Sequence, residues 1–177
     1  MRLLSGAVLT ACVVLTGCAA TVNRGEGEAA PLRIPVDASK RIVLSVSGSP
    51  KASQSSDWAD FRAVWRDAMQ AEASAADKRF NWQDGNSKPG REAGTLLQVQ
   101  VEDYRYVSTG ARYGLGAMTG NAYVNARVRF VDARSGAVYG ERSYNTSSTA
   151  WQGIFSAMTA QQVQAICKEL VSEVRAN

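Results

Sequence analysis

The chain has 177 residues, with 20 Lys and Arg against 16 Asp and Glu, no His and three Cys. Lack of histidine removes the commonest general base and the commonest metal ligand, and so few cysteines leave no zinc site. The net charge of +4 is scattered, with no run of five basic residues, which argues against nucleic-acid binding.

Met1 and Arg2 form a short positive start, and Leu3 to Leu15 is apolar or small apart from Ser5 and Thr10. A helix needs about 20 apolar residues to span a bilayer, so this run is too short for that and suits a secretion signal. Leu15-Thr16-Gly17-Cys18 follows directly. This run resembles the lipobox of bacterial lipoproteins. The resemblance implies a signal peptide over residues 1–17, a cut between Gly17 and Cys18, and a diacylglycerol on the Cys18 thiol. It also implies that Leu15 fills the first lipobox position. The alternatives are an ordinary cleaved signal and an uncleaved anchor helix. In lipoproteins an aspartate after the cysteine tends to hold the protein at the inner membrane. Here Ala19 and Ala20 stand in that place, which implies an outer-membrane anchor with the domain facing the periplasm. Cys12 leaves with the signal and Cys18 carries lipid, so Cys167 remains alone. It is expected as a small core residue, and no internal disulfide forms.

Residues 18–39 are small and polar and hold Gly25, Gly27, Pro31 and Pro35. They are expected as a lipidated flexible tether, or else as an extended segment docked on a neighbour. Arg41 to Ser47 alternates as a strand, ended by Gly48-Ser49-Pro50. A helix is expected from Trp58 to about Ala73, capped by Ser56 or Asp57, with Phe61, Val64, Trp65, Ala68 and Met69 on its apolar face. Arg79 to Gln83 reads as a short strand with Phe80 and Trp82 on one side. After the loop 84–94, a longer strand runs from Leu96 to Val107. Its parity slips from Leu97, Val99 and Val101 to Tyr104 and Tyr106, which calls for a bulge near Asp103.

A glycine-rich connector over 108–121 leads to a strand from Ala122 to Phe130 with strict alternation. Asp132 to Gly136 is a hairpin turn, and Val138 to Thr146 is the partner strand. The last helix carries Val163, Ile166, Cys167, Leu170 and Val174 on one stripe, and Thr159-x-x-Gln162 before it reads as a capping box. The expected fold is a single α+β domain over residues 40–177. It has an antiparallel, or mixed, sheet of about four to five strands, with both amphipathic helices on one face.

The glycine-rich ARYGLGAMTGNA, the VRFVDARSGAVYGE hairpin and the closing helix together resemble the periplasmic domain of the CsgG and PelC secretion lipoproteins, and related small lipoproteins of unknown function. The resemblance covers roughly residues 40–177 and rests on turn chemistry and periodicity. It implies assembly into rings that pass a polymer. The chain departs from CsgG in lacking the long amphipathic hairpins that would build a membrane barrel, so a pore is not carried over.

Three further candidates come from pattern. Trp151, Ile154, Phe155 and Met158 share one helical face, suited to a membrane or subunit contact, or to packing over the sheet end. Tyr123, Arg127 and Arg129 share a polar strand face with Asn125, suited to an anionic ligand, or simply solvated. Gly110, Gly114, Gly116 and Gly120 suit contact with a membrane or a partner backbone, or simply a flexible strand connector, and they lack the spacing and the following helix of a nucleotide loop. Glu102 and Asp103 point to opposite sides of a regular strand and take no acid–base role. No cofactor and no metal is expected, and no nucleic-acid partner. Two readings follow. One is a non-enzymatic outer-membrane lipoprotein, an accessory or assembly subunit of an envelope or export complex. It would act through the membrane lipid on Cys18 and through a homo-oligomer or another envelope protein. The other is a monomeric periplasmic module binding a glycan or a lipid.

Overall fold

The computed structural model describes residues 21–25, 30–85, 90–106, 122–147 and 158–176. In chain order these form β1 (Thr21–Arg24), a 3-10 turn (Ala38–Lys40), β2 (Arg41–Gly48), the single turn α1 (Pro50–Ser53) and α2 (Trp58–Ala75). Then come β3 (Arg79–Trp82), β4 (Thr95–Arg105), β5 (Tyr123–Asp132), β6 (Val138–Ser147) and α3 (Met158–Glu173). The strands make one sheet in the order β1-β6-β5-β4-β2-β3. The pairs β1–β6, β6–β5 and β5–β4 are antiparallel, while β2 runs parallel to both β4 and β3. The fold is therefore α+β with a mixed sheet. Helix α2 is the crossover that parallel neighbours β2 and β3 require.

Both helices cover the same face, as expected. Phe61, Trp65, Met69 and Ala73 of α2 are fully buried, as are Val163, Ile166, Cys167 and Leu170 of α3 and Val174 just past its end. They share one core with Ile42 and Leu44 of β2, Leu97 and Val99 of β4, Val128 and Phe130 of β5, and Tyr144 of β6. Burial pushes the Cys167 thiol well up, so it stays protonated and behaves as core.

The bulge falls where the parity slips: the β4–β5 register shifts between Val101 and Asp103. The extra residue turns Tyr104 inward, and its ring stacks on Phe61 with centroids 4.0 Å apart. The Tyr104 hydroxyl donates to Asp57 Oδ1. Asp57 is the cap residue of α2, but its carboxylate makes no side-chain cap bond and instead accepts from Tyr104 and Ser55. Burial, then the bond to Asp57, pushes the Tyr104 hydroxyl up to about 12. An unfolded tyrosine ionises near pH 10. Stability from this group is thus complete below about pH 10 and is lost as pH rises toward 12, because only the unfolded chain releases the proton. Burial raises Tyr139 and Tyr144 in the same direction. Denaturant melts across this range should show an alkaline fall in stability that is shallower in Tyr104→Phe; parallel falls in the two proteins would clear Tyr104 of the effect.

Two local expectations differ. The first concerns the tether. Six strands appear because Thr21–Arg24 joins the sheet edge, and the chain after it straps across the core. Leu32 and Ile34 are buried, and Ile34 bridges to Ala176. Gly140 makes room for the strap, since a Cβ there would lie 2.5 Å from Leu32 Cδ2. Pro31 and Pro35 shape this extended run rather than loosening it. The second concerns the capping box. Thr159 lies inside α3, where its Oγ1 donates to the Arg105 carbonyl at 3.5 Å. Gln162 Nε2 donates to the Ala122 carbonyl at 2.8 Å. Gln162 Oε1 is buried without a partner among the described residues. Tertiary acceptors at the strand ends thus displace the local reciprocal bond.

Candidate functional site

Among the described residues, the sheet face away from the helices is covered only at one end. There Val43, Leu96, Val131 and Ala133 form a small apolar cluster. Arg41 holds the carbonyls of Ala93 and Glu92, and the Gly90 N–H donates to the Ala133 carbonyl, which lays residues 90–94 over that end.

Beyond the cluster the face is open and polar. Strand register sets Ser45, Gln98, Arg129 and Glu141 in one cross-strand row and Ser47, Gln100, Arg127 and Ser143 in the next. Four strands about 4.8 Å apart make each row about 14 Å long. A cleft of about 260 Å³ lies over the rows, with Gly85 at its rim. Ser45 Oγ donates to the Gly85 carbonyl at 2.9 Å, and Ser47 Oγ to Gln100 Oε1 at 2.8 Å. Arg127 contacts Glu102 at 2.8 Å and Glu141 at 3.3 Å, while Arg129 reaches Glu141 at 4.0 Å. Two guanidiniums therefore face two carboxylates, so that among the described residues the rows carry no excess charge to draw an anion from a distance. Hydroxyls, amides and guanidiniums make this a surface that binds through hydrogen bonds.

Arg127 and Arg129 thus flank the cleft. Tyr123 sits about 13 Å from Arg127 along β5. Its hydroxyl donates to Asp103 Oδ2 at 3.2 Å, where Lys51 Nζ also donates at 2.9 Å. The Lys51 bond is the main reason the Asp103 carboxyl is held below its ordinary range. Tyr123 therefore belongs to the end of the sheet rather than to the arginine pair. Cys18, Trp151, Ile154, Phe155 and the Gly110 to Gly120 connector lie outside the described residues.

Glu141 is the carboxylate shared by both arginines. Exposed pairs of this kind contribute only about 0.2–1 kcal/mol each. Glu141→Gln should leave the melting temperature nearly unchanged, yet raise the salt needed to elute the protein from a polyanionic matrix. Unchanged elution would show that other cations govern such binding.

One charged cluster escapes the sequence patterns. Arg142 is 6% exposed and faces the helices from β6, where its guanidinium donates to the Ala30 and Glu141 carbonyls. It lies 3.8 Å from Glu173, which accepts from Arg24 Nη1 at 2.8 Å, and Arg24 also pairs with Glu169. This network bolts β1 and the strap to α3. Its sequence signal is an arginine at an inward parity, between Gly140 and Tyr144.

No family model matches the sequence, and no curated protein matches it. Solved structures do match in fold. A PelC dodecamer from Paraburkholderia phytofirmans aligns at 14% identity with a TM-score of 0.52, covering 89% of this chain and 98% of that one. An uncharacterized protein aligns at 11% identity with a TM-score of 0.50, covering 81% and 96%. A DUF330 protein from Xanthomonas campestris aligns at 10% identity with a TM-score of 0.45, covering 79% and 89%. At these identities the likeness is one of fold: this chain shares the α+β architecture of PelC over nearly its whole length.

Proposed function

We propose that this protein is a non-enzymatic lipoprotein of the outer membrane, anchored through Cys18, which works as an assembly subunit of an envelope or export complex. The observation that carries the proposal is the fold shared, almost end to end, with a protein crystallised as a dodecamer. The lipobox LTGC supports the anchor, and Ala19 and Ala20 support the outer membrane as its address. The open face supports a binding role, because its rows offer donors and acceptors across four strands. Light scattering on the chain from residue 18, carrying Cys18→Ser so that lipid drives no association, should give the mass of a closed ring. A monomer at micromolar concentration would overturn the assembly reading.

The cleft favours a second reading, a monomeric module for a ligand. Its polar lining suits a glycan rather than a lipid chain. Saturable binding of an oligosaccharide to the monomer, lost in Gln100→Ala, would support it.

A further inference from the structure

We infer that the domain stands end-on on the bilayer, with the sheet end formed by Thr21, Ser147, Tyr123 and Arg105 turned toward the lipid surface. This rests on the reading of Cys18 as the lipidated residue. A slack segment from Cys18 to residue 39 would let the domain lie at any angle. The structure removes nearly all of that slack. All four residues of β1 pair with β6, from Thr21 with Ser147 to Arg24 with Tyr144. Val22 packs against the core, and Arg24 is held by Glu169 and Glu173 of α3. The chain between Cys18 and Thr21 is then Ala19 and Ala20 alone, three Cα–Cα steps that reach at most about 11 Å.

Register decides which end of the domain that short leash holds down. Thr21 opposes Ser147, Ser147 opposes Tyr123, and Tyr123 opposes Arg105. The start of β1, the end of β6, the start of β5 and the end of β4 therefore lie side by side. Because β2 runs parallel to β4, its end and the turn α1 lie there too. Arg105 is exposed at this end, and Lys51 beside it is exposed while paired with Asp103. Arg105 brings to this end the sign of charge that anionic headgroups attract, while Lys51 is balanced by Asp103. The opposite end is the turn between β5 and β6. It stands about 30 Å further off, the length of a strand of ten residues at 3.3 Å each. Upright in this way, the domain turns its open polar face sideways, toward neighbours in the plane of the membrane.

The test uses the full lipidated protein in vesicles of phosphatidylethanolamine and phosphatidylglycerol containing a headgroup nitroxide lipid. A fluorophore is attached at Ser147→Cys or at Ala137→Cys, both exposed positions. Cys167 is buried and does not compete for the label. The Ser147 label should be quenched several-fold more strongly than the Ala137 label. Equal quenching at the two positions, or stronger quenching at Ala137, would overturn the inference. Arg24→Glu sets three carboxylates together and should free β1, so that the leash runs to Leu32 and reaches about 45 Å. In that variant the difference between labels should shrink while vesicle binding persists; a full difference retained would show that β1 does not set the posture. Failure of the wild-type protein to bind vesicles, or to take up a fatty-acid label, would instead refute the lipid anchor itself.

Discussion

Cys18→Ser is expected to move the protein from the membrane to the soluble periplasmic fraction and to abolish fatty-acid labelling. The size of the effect follows from the acyl chains. Each buried methylene contributes about 0.8 kcal/mol, so one chain binds marginally and two or three hold firmly. Losing all of them leaves the domain's own surface to hold the bilayer. No helix among the described residues is long and apolar enough to cross a membrane. Arg105 at the end near Thr21 would add an attraction of roughly 1 kcal/mol to anionic lipid, which salt screens, whereas Lys51 is balanced by Asp103. The variant should therefore be released almost completely at physiological salt. Its fold should be unchanged, since Cys18 precedes the first strand. Label persisting on the serine variant would sink the lipobox reading. Unlabelled protein still in the membrane fraction would point either to an uncleaved signal helix, which resists a salt wash, or to capture by a membrane-bound partner, which a salt wash releases.

Periodicity made the sheet and its cover legible. Val124, Ala126, Val128 and Phe130 alternate with polar residues, and all four are buried. The parity slip near Asp103 located the bulge because an inserted residue leaves a mark in the pattern of a single strand. The stripes of α2 and α3 were equally plain. What stayed hidden depends on partners distant in sequence. In Thr21–Arg24 the apolar contribution is Val22 alone, and the strand is held by pairing to β6 and by Arg24 bonds to residues 145 and 149 positions away. No local pattern carries such information. The same limit applies to the open face. Ser45, Gln98 and Arg129 each read as outward positions of separate strands. Only the parallel insertion of β2 beside β4 lines them up as a row. Thr159 and Gln162 show the converse error, a local motif outcompeted by carbonyls that the fold brings near.

Trp65→Ala should destabilise the domain by about 3–5 kcal/mol, the range for truncating a large aromatic in a core. Trp65 lies in the middle of α2 with no exposed surface, and its ring meets Phe61 edge-on at 6.3 Å. Its indole N–H has no hydrogen-bond partner among the described residues. The loss is therefore one of packing, made of transfer free energy and the cavity left behind, with no broken hydrogen bond added. A rigid sheet beneath and α3 beside it limit how far that cavity can collapse. Against a typical stability of about 5–15 kcal/mol, such a change removes a large share, and at the low end of that range it unfolds a substantial fraction of the protein. Leu170→Ala, on the facing helix, should lose about 2–5 kcal/mol for the same reason. Both residues belong to one core, and if their cavities merge the double variant should depart from the sum of the single losses. Urea unfolding of the four proteins measures all three quantities. A loss below about 0.5 kcal/mol at either site, typical of a surface position, would show that α2 and α3 do not bury these residues against a common sheet face.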